Sequence, residues 1–245
     1  MSLPKIASVN IRPLNLGDIF YQKGNGFLVQ KKDSISIYTS FVNNYSNGNY
    51  VEFIVNIENN SNDTLFFDPM TTRLYFLSEK NDSFHFSPLN PEEAIGYYHM
   101  LLDVNEREYH SNQKSIASSV KMQGISSSLN AIGGIIDLFG KKDKESEERA
   151  KRRQIESQEA EIRQNRLQNQ RTAEILEYQQ QKQNLEKAID VWQNKSMRKN
   201  HILPYQSIEG SIFFPKYPQN GTINLVFNVD KKVFFFLFLQ RVSFY

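Results

Sequence analysis

The chain of 245 residues contains no cysteine. That absence excludes disulfide bonds, thiol catalysis and metal sites built from thiolates. The sequence also lacks a Gly-x-Ser-x-Gly motif and a glycine-rich loop after a predicted strand. It therefore predicts neither a hydrolase nucleophile nor a phosphate loop. We expect a non-enzymatic protein that needs no cofactor.

A large excess of charge and a long apolar run are missing as well. The formal net charge is +2, which gives no electrostatic reason to expect binding to nucleic acid. The longest apolar run, at 233–239, is far shorter than the roughly 18 residues that a membrane helix needs. The start of the chain lacks the basic and apolar regions of an export signal, so a cytoplasmic location stays open.

Histidine is too sparse and too scattered to predict a metal site. The four histidines are His85, His99, His110 and His201. None has a second ligand at the spacing that zinc sites use. We expect no metal, and we expect His85 to point out of a strand whose neighbours Phe84 and Phe86 point inward.

Short runs of aromatic and β-branched residues, separated by Asn, Gly, Pro and Asp, predict strands on both sides of a polar middle segment. The clearest is 50–58, where Val51, Phe53, Val55 and Ile57 alternate with polar residues. The final run, at 233–242, is continuously apolar, which predicts burial on both faces. The predicted strands are 26–30, 34–41, 50–58, 65–67, 73–78, 83–87, 210–215, 222–229 and 233–242.

A first helix is predicted to begin at Asn90. Asn90 can cap it, Pro91 suits the first helical position, and Glu92 and Glu93 lie at the positive end of the helix dipole. Composition then shifts to Ser, Ala, Gly and Gln over 111–128. A regular apolar pattern follows, at spacings of three and four, which is typical of a helix that packs on another helix. This seam consists of Met122, Ile125, Leu129, Ile132, Ile136 and Phe139.

The polar segment from 143 to 198 predicts a second, long helix, since it contains neither Pro nor Gly and holds only isolated apolar residues. The turn at 140–144 makes an antiparallel helical hairpin the economical arrangement. Trp192, near its end, is expected to cover the outer face of the final strand. The seam then has two interpretations, packing within the hairpin or self-association between chains.

The hairpin tip carries the basic residues Lys141, Lys142 and Lys144, followed by arginines and lysines mixed with glutamates. Mixed charges at helical spacing usually form a solvated face with local ion pairs. The alternative is a tip that contacts an anionic membrane surface or a protein partner, helped by the apolar residues just before it.

The strands after 200 are too few to fold alone, so we expect them to complete the sheet begun by the N-terminal strands. The fold class predicted is mainly β with an α insertion, namely an antiparallel immunoglobulin-like β-sandwich interrupted by a long antiparallel helical hairpin. The β domain would comprise 1–90 plus 200–245, and the inserted hairpin 91–199.

One further pattern carries a resemblance. The segment 192–204 reads Trp-Gln-Asn-Lys-Ser-Met-Arg-Lys-Asn-His-Ile-Leu-Pro and precedes the strand 210–215 and the aromatic final strand. It is similar to the C-terminal pattern of uncharacterised, often lipoprotein-like proteins of Bacteroidetes-type bacteria, and the segment 51–69 fits as well. The resemblance implies an immunoglobulin-like sandwich with a helical insertion of variable length, and a periplasmic or surface location in the cell envelope. It implies no activity, and this sequence lacks that family's signal peptide and lipid-bearing cysteine.

Two functions follow as hypotheses. In the first, the β-sandwich presents the hairpin for self-association, giving a homo-oligomer, or for contact with a protein partner or the membrane periphery. In the second, the chain is an envelope-associated module that binds a ligand or glycan on the aromatic surface of the sandwich. Exposed Tyr or Phe side chains on a sheet face would favour the second hypothesis.

Overall fold

The computed structural model describes residues 6–14, 19–22, 25–42, 50–136 and 145–244, without the side chains at 6–8, 22, 25, 115–136, 145–150 and 244. The described residues form twelve strands, a short 3-10 helix at Pro69–Thr71 and two long α-helices. The chain is therefore mixed α+β, mainly β, with the helices inserted between strands. The helices are α1 (Pro91–Ile136) and α2 (Glu145–Asn194). The strands are β1 (Ile6–Pro13), β2 (Ile19–Gln22), β3 (Asn25–Lys32), β4 (Ile35–Phe41), β5 (Tyr50–Asn59), β6 (Leu65–Phe67), β7 (Arg73–Ser78), β8 (Ser83–Phe86), β9 (Asn200–Ile202), β10 (Ser207–Pro215), β11 (Gly221–Val229) and β12 (Lys232–Phe244).

The chain divides into two compact units. The first, here the β unit, is discontinuous and comprises Met1–Gly96 and Ile189–Tyr245. The second, here the helical unit, comprises Tyr97–Ala188. The first turns of α1 and the last turns of α2 thus belong to the β unit.

The strands of the β unit pair antiparallel in two five-stranded sheets and one small pair. Sheet 1 has the order β1-β12-β11-β7-β8, and sheet 2 has the order β10-β5-β4-β3-β2. Strands β6 and β9 pair with each other. Each sheet joins strands from before and after the helices, as expected from their number and hydrophobicity. In sheet 2, β10 pairs with β5 over nine residues, from Ser207 opposite Glu58 to Pro215 opposite Tyr50.

Both sheets contribute side chains to one hydrophobic core. Along β5 the predicted residues Val51, Phe53, Val55 and Ile57 are all buried. The Phe53 ring contacts Phe238 of sheet 1 at 5.3 Å between centroids. Nine phenylalanines among the described residues are almost fully buried. Each such side chain contributes about 1.5–3 kcal/mol of burial free energy. They are Phe53, Phe67, Phe76, Phe213, Phe214, Phe227, Phe234, Phe236 and Phe238.

The final strand differs from its prediction. Phe234 and Phe236 are buried, but Phe235 between them is 48% exposed. The expectation of burial on both faces was therefore wrong, because the outer face of β12 is apolar without being covered. Strands β1, β2 and β9 were also not predicted; each is short or interrupted by polar residues.

Two side chains of sheet 2 form hydrogen bonds with the backbone of β12 in the part of its edge that does not pair with β1. The Gln30 amide donates to the Phe235 carbonyl and accepts from the Phe235 N–H at 3.1 Å. Lys32 donates to the Val233 carbonyl. These bonds replace those of a neighbouring strand, so backbone groups that would otherwise lack partners are satisfied.

Candidate functional site

Both ends of the helical insertion are bonded to the same strand. On the way out, the Leu89 N–H donates to the Phe213 carbonyl at 2.8 Å. After α2, the Ser211 N–H donates to the Lys195 carbonyl at 2.7 Å, and the Met197 N–H donates to the Ser211 carbonyl at 2.8 Å. Strand β10 is the edge of sheet 2. The insertion therefore begins and ends at this edge and blocks it from pairing with another chain.

The start of α1 is stabilised as the sequence predicts. Asn90 Oδ1 accepts from the Glu92 N–H at 3.0 Å, and Asn90 Nδ2 donates to Glu93 Oε1 at 3.0 Å. Pro91 occupies the first helical position, where its missing N–H has no cost. These contacts set the residue at which α1 begins.

Arg198 connects the end of α2 with the start of α1. Its Nη1 donates to the Gln193 carbonyl at 2.7 Å, which lacks an intrahelical partner at the helix end. Its Nε pairs with Glu92 Oε1 at 2.9 Å. Both side chains of the ion pair are well exposed, so the pair contributes at most about 1 kcal/mol.

Trp192 fixes the last turn of α2 to the β unit. The indole is 1% exposed and packs on Phe213 at 4.3 Å and Tyr50 at 5.6 Å between ring centroids. Phe213 lies on β10 and Tyr50 on β5, so Trp192 covers sheet 2. The expectation that it covers the final strand was wrong. That strand lies in sheet 1, and the edge bonds of β10 bring the end of α2 to sheet 2 instead.

In the helical unit, the partly buried residues lie along one side of each helix, here called the inner seam. Tyr109 of α1 stacks on Tyr178 of α2, with centroids 4.1 Å apart and planes 14° apart. The other members recur at spacings of three and four around these tyrosines. The inner seam comprises Tyr98, Leu102, Asn105, Tyr109 and Gln113 in α1, and Leu167, Arg171, Glu174, Tyr178, Lys182 and Leu185 in α2.

The inner seam is largely polar. Four of its side-chain atoms are buried and make no hydrogen bond within the described part of the chain, namely Asn105 Nδ2, Gln113 Nε2, Arg171 Nε and Glu174 Oε2. A buried polar group without a partner costs about 1–3 kcal/mol. These four atoms therefore reduce the stability that the contact between the helices provides.

The larger aliphatic residues of the middle of α2 lie on another side of the helix. Ile155, Ile162 and Leu176 are 56%, 59% and 61% exposed. Their spacing is a multiple of seven, about two helical turns, so they form one line, here called the outer stripe. At about 100° per residue, this line lies on roughly the opposite side of α2 from the inner seam. Helix α2 thus exposes a line of aliphatic residues and partly buries a side on which polar and apolar residues are mixed.

Helix α1 also exposes apolar side chains near its start. Tyr97, Met100 and Val104 are 54%, 53% and 41% exposed. Spacings of three and four place them on one side of the helix. The helical unit therefore has exposed apolar residues on both of its helices.

A second exposed apolar surface covers the outer face of sheet 1, here called the sheet face. Tyr75 and Leu77 of β7 and Phe235 of β12 are 44%, 47% and 48% exposed. Directly paired residues point to the same side of a sheet. By register, Tyr75 lies beside Asn224 and His85, and Asn224 lies beside Leu237. Aromatic rings and hydrogen-bonding side chains are therefore interleaved on one flat surface.

The site residues predicted from the sequence lie in the second half of α1 or in the segment that follows it. Phe139, Lys141, Lys142 and Lys144 lie outside the described residues. Helix α1 runs without interruption to Ile136 and so includes the earlier seam residues, but their side chains are not among those described. These are Met122, Ile125, Leu129, Ile132 and Ile136. Sequence reasoning noted the sparse aliphatic residues of α2 but missed that Ile155, Ile162 and Leu176 share one exposed side; their heptad spacing was the available signal.

No group of three or more potential metal ligands occurs among the described residues. As predicted, His85 is exposed, while Phe84 and Phe86 contact Tyr217 at 4.7 and 5.7 Å. Neither described helix has an apolar stretch long enough to cross a membrane.

Comparison with known proteins supplies no further assignment. No protein-family model matches the chain, and no curated protein and no solved structure matches it either.

Proposed function

We propose that this chain is a non-enzymatic bacterial protein that associates through its helices. In this proposal an immunoglobulin-like β-sandwich holds the ends of an antiparallel helical hairpin, and the hairpin is the interaction element. The observation that carries the proposal is the outer stripe of α2, whose aliphatic residues are more than half exposed. Contiguous exposed apolar surface marks interaction sites, and a heptad line of aliphatic residues is the pattern by which helices associate.

The antiparallel arrangement has a specific support. Tyr109 lies 18 residues after Pro91 in α1, and Tyr178 lies 16 residues before Asn194 in α2. Because their rings stack, residues at similar distances from the β-unit ends of the two helices meet. The sandwich is supported by two antiparallel sheets that share one core.

The proposed location is the cell envelope, and it depends on the sequence resemblance alone. Contact of the hairpin tip with a membrane depends on Phe139, Lys141, Lys142 and Lys144, which lie outside the described residues. We therefore place self-association ahead of membrane contact.

The test is the solution mass of the whole chain by light scattering after gel filtration, over a wide range of protein concentration. We expect a mass above the 28.6 kDa of one chain that falls to one chain in a variant with the exposed helix residues changed to Gln. These residues are Tyr97, Met100, Val104, Ile155, Ile162 and Leu176. All are largely exposed, so the fold should persist, which circular dichroism would check. A whole chain that stays monomeric at every concentration would refute self-association.

A second candidate function has its own observation. The exposed Tyr75 and Phe235 on the sheet face favour a ligand- or glycan-binding module, because aromatic rings stack on the apolar faces of sugars while Asn224 and His85 can bond hydroxyl groups. Glycan-panel binding by the whole chain tests this function. Tyr75→Ala should abolish any binding, whereas Tyr205→Ala, which removes a more exposed tyrosine away from the sheet face, should preserve it. Binding that survives Tyr75→Ala would remove the sheet face from consideration.

A further inference from the structure

The outer stripe includes one polar residue at the position between Ile162 and Leu176. Ile155 and Ile162 are seven residues apart, and Leu176 follows fourteen residues later. The position between is Asn169, which is also exposed. A line of Ile, Ile, Asn and Leu at every seventh residue is the pattern of one core position of a coiled coil. A single Asn at that position is a known determinant of register and of the number of strands.

We infer that two copies of this chain associate through the outer stripe, with their α2 helices parallel and in register. This inference rests on the proposed function, since it specifies the partner and the geometry of that association. The occupant of the stripe is a second identical helix, for two reasons that the residues themselves provide.

The first reason is the match of side chains across the interface. In a parallel, in-register pair, equivalent residues face each other, so Ile162 meets Ile162 and the Asn169 amides bond to each other. In an antiparallel pair, stripe residues would face the other core position of the heptad. That position holds Gln158, Asn165 and Thr172. Only the parallel pair keeps the aliphatic residues together, since the antiparallel pair would place them opposite these polar residues.

The second reason is charge complementarity beside the stripe. With the stripe at the first core position, Glu161 and Arg166 take the two flanking positions that face each other between parallel helices. Glu161 of one chain would lie opposite Arg166 of its partner, and the symmetry of the pair repeats the contact. Both side chains are exposed, and neither forms an ion pair with another residue of the described chain. They are therefore available for contact between chains.

The same pattern limits the strength of the contact. The stripe ends at Leu176, because the next position in the period is Gln183. The second core position is polar throughout the stripe. We therefore expect a reversible dimer whose population depends on protein concentration.

Orientation can be tested with a single introduced cysteine, because the chain has none of its own. Asn169→Cys in the whole chain should form a disulfide-linked dimer under mild oxidation, since the two thiols would face each other. The control is Ser157→Cys, which is exposed on another side of α2 and should remain largely uncrosslinked. Equal crosslinking of the two variants would overturn the parallel, in-register arrangement.

Charge reversal gives an independent test by sedimentation equilibrium. Glu161→Lys and Arg166→Glu, each alone, should raise the dimer dissociation constant several-fold, because each places like charges opposite one another. An equimolar mixture of the two single variants should form heterodimers as tightly as the original chain or nearly so. The double variant should likewise recover the original mass. Failure of both the mixture and the double variant to recover would overturn the proposed register.

Ile162→Asp separates this inference from the broader proposal. We expect at least a tenfold rise in the dissociation constant, with the helical circular dichroism of the dilute protein unchanged. If the chain dimerises but Ile162→Asp leaves the dissociation constant unchanged and Asn169→Cys forms no crosslink, the stripe is not the interface. Association through Tyr97, Met100 and Val104 would then remain as the proposed function. If the chain never dimerises, both the inference and proposed self-association are wrong.

Discussion

The two units of this chain distribute polarity in opposite ways. In the β unit, alternate apolar residues of two sheets are buried and their polar neighbours face outward, as along β5. In the helical unit, the polar atoms Asn105 Nδ2 and Glu174 Oε2 are buried without a hydrogen bond in the described part of the chain, while Ile155 and Ile162 are exposed. The β unit therefore has its own stabilising core, whereas the described side chains of the helical unit form no comparable core and would gain most from a partner.

The largest effect is expected where the last turn of α2 meets the β unit. Trp192→Ala should lower the free energy of unfolding by about 3–5 kcal/mol, because it removes a buried indole from between Phe213 and Tyr50. Denaturant unfolding followed by circular dichroism measures the loss, because the substitution removes the tryptophan whose fluorescence would otherwise serve as the probe.

The control for that prediction is Trp192→Phe. It keeps a ring at the site and removes the indole Nε1, which is buried and makes no hydrogen bond within the described residues. We expect less than half the loss seen with Ala. A loss below about 1 kcal/mol for Trp192→Ala would show that Trp192 does not contribute to the core as its burial indicates.

The next largest effect concerns a buried polar residue that is fully satisfied, in contrast to those of the inner seam. Asn59 is 0% exposed, and its Nδ2 donates to the carbonyls of Asp63, Ile202 and Leu203 at 2.7, 3.0 and 3.1 Å. Asn59→Asp keeps the shape but replaces the donor by an acceptor. We expect a loss of about 2 kcal/mol in unfolding free energy at neutral pH.

The matched control is Asn60→Asp, one residue along and exposed, which should change stability by less than about 0.5 kcal/mol. Equal effects of the two substitutions would mean that added charge, rather than the lost hydrogen bonds, explains the result.

A smaller effect of opposite sign is expected in the inner seam. Asn105→Leu removes a buried amide nitrogen without a hydrogen-bond partner and adds apolar contact near the tyrosine stack. It should stabilise the helical unit by about 1 kcal/mol. Amide hydrogen exchange of α1 in the dilute protein measures this gain locally.

Asp103→Leu provides the comparison, because residue 103 is exposed on α1 away from the inner seam. It should leave exchange nearly unchanged. If Asn105→Leu speeds exchange, the polar seam stabilises the helices and the contrast between the two units is wrong.

These contrasts also explain what could be predicted from the sequence. The alternation of Val51, Phe53 and Val55 predicted β5 and its buried face, because a period of two has one structural meaning. Asn90 and Pro91 predicted the start of α1 for the same local reason. The two helices between the strands were predicted from the capping pattern at Asn90 and from the polar composition of the middle segment.

Features that depend on distant pairing could not be predicted. The partner of Trp192 is decided by the bonds of β10 to Lys195 and Met197, and no local pattern encodes such an edge contact. The exposed side of Phe235 depends on whether another layer covers sheet 1, which an apolar run does not reveal. In α2, the heptad spacing of the outer stripe was present in the sequence but went unnoticed, and it could not show that the side carrying Tyr178 faces α1.

The smallest predicted effect is a dependence on alkaline pH in the β unit. Burial, and then the 3.0 Å hydrogen bond that Tyr38 donates to Glu58, raise the pKa of Tyr38 above its ordinary value of 10.0. The folded state therefore favours the neutral phenol. The contribution of this preference to folding stability is complete below the unfolded pKa, and it is lost as the pH rises through that value and then through the higher folded pKa.

Between about pH 9 and about pH 11, Tyr38→Phe should lose stability less steeply than the original chain in denaturant unfolding. Glu58→Gln removes the charge and keeps the burial, so it should lower the pKa of Tyr38 only part of the way, as phenolate absorbance would show. Identical alkaline slopes for the original chain and Tyr38→Phe would mean that Tyr38 ionises as readily in the folded state as in the unfolded chain.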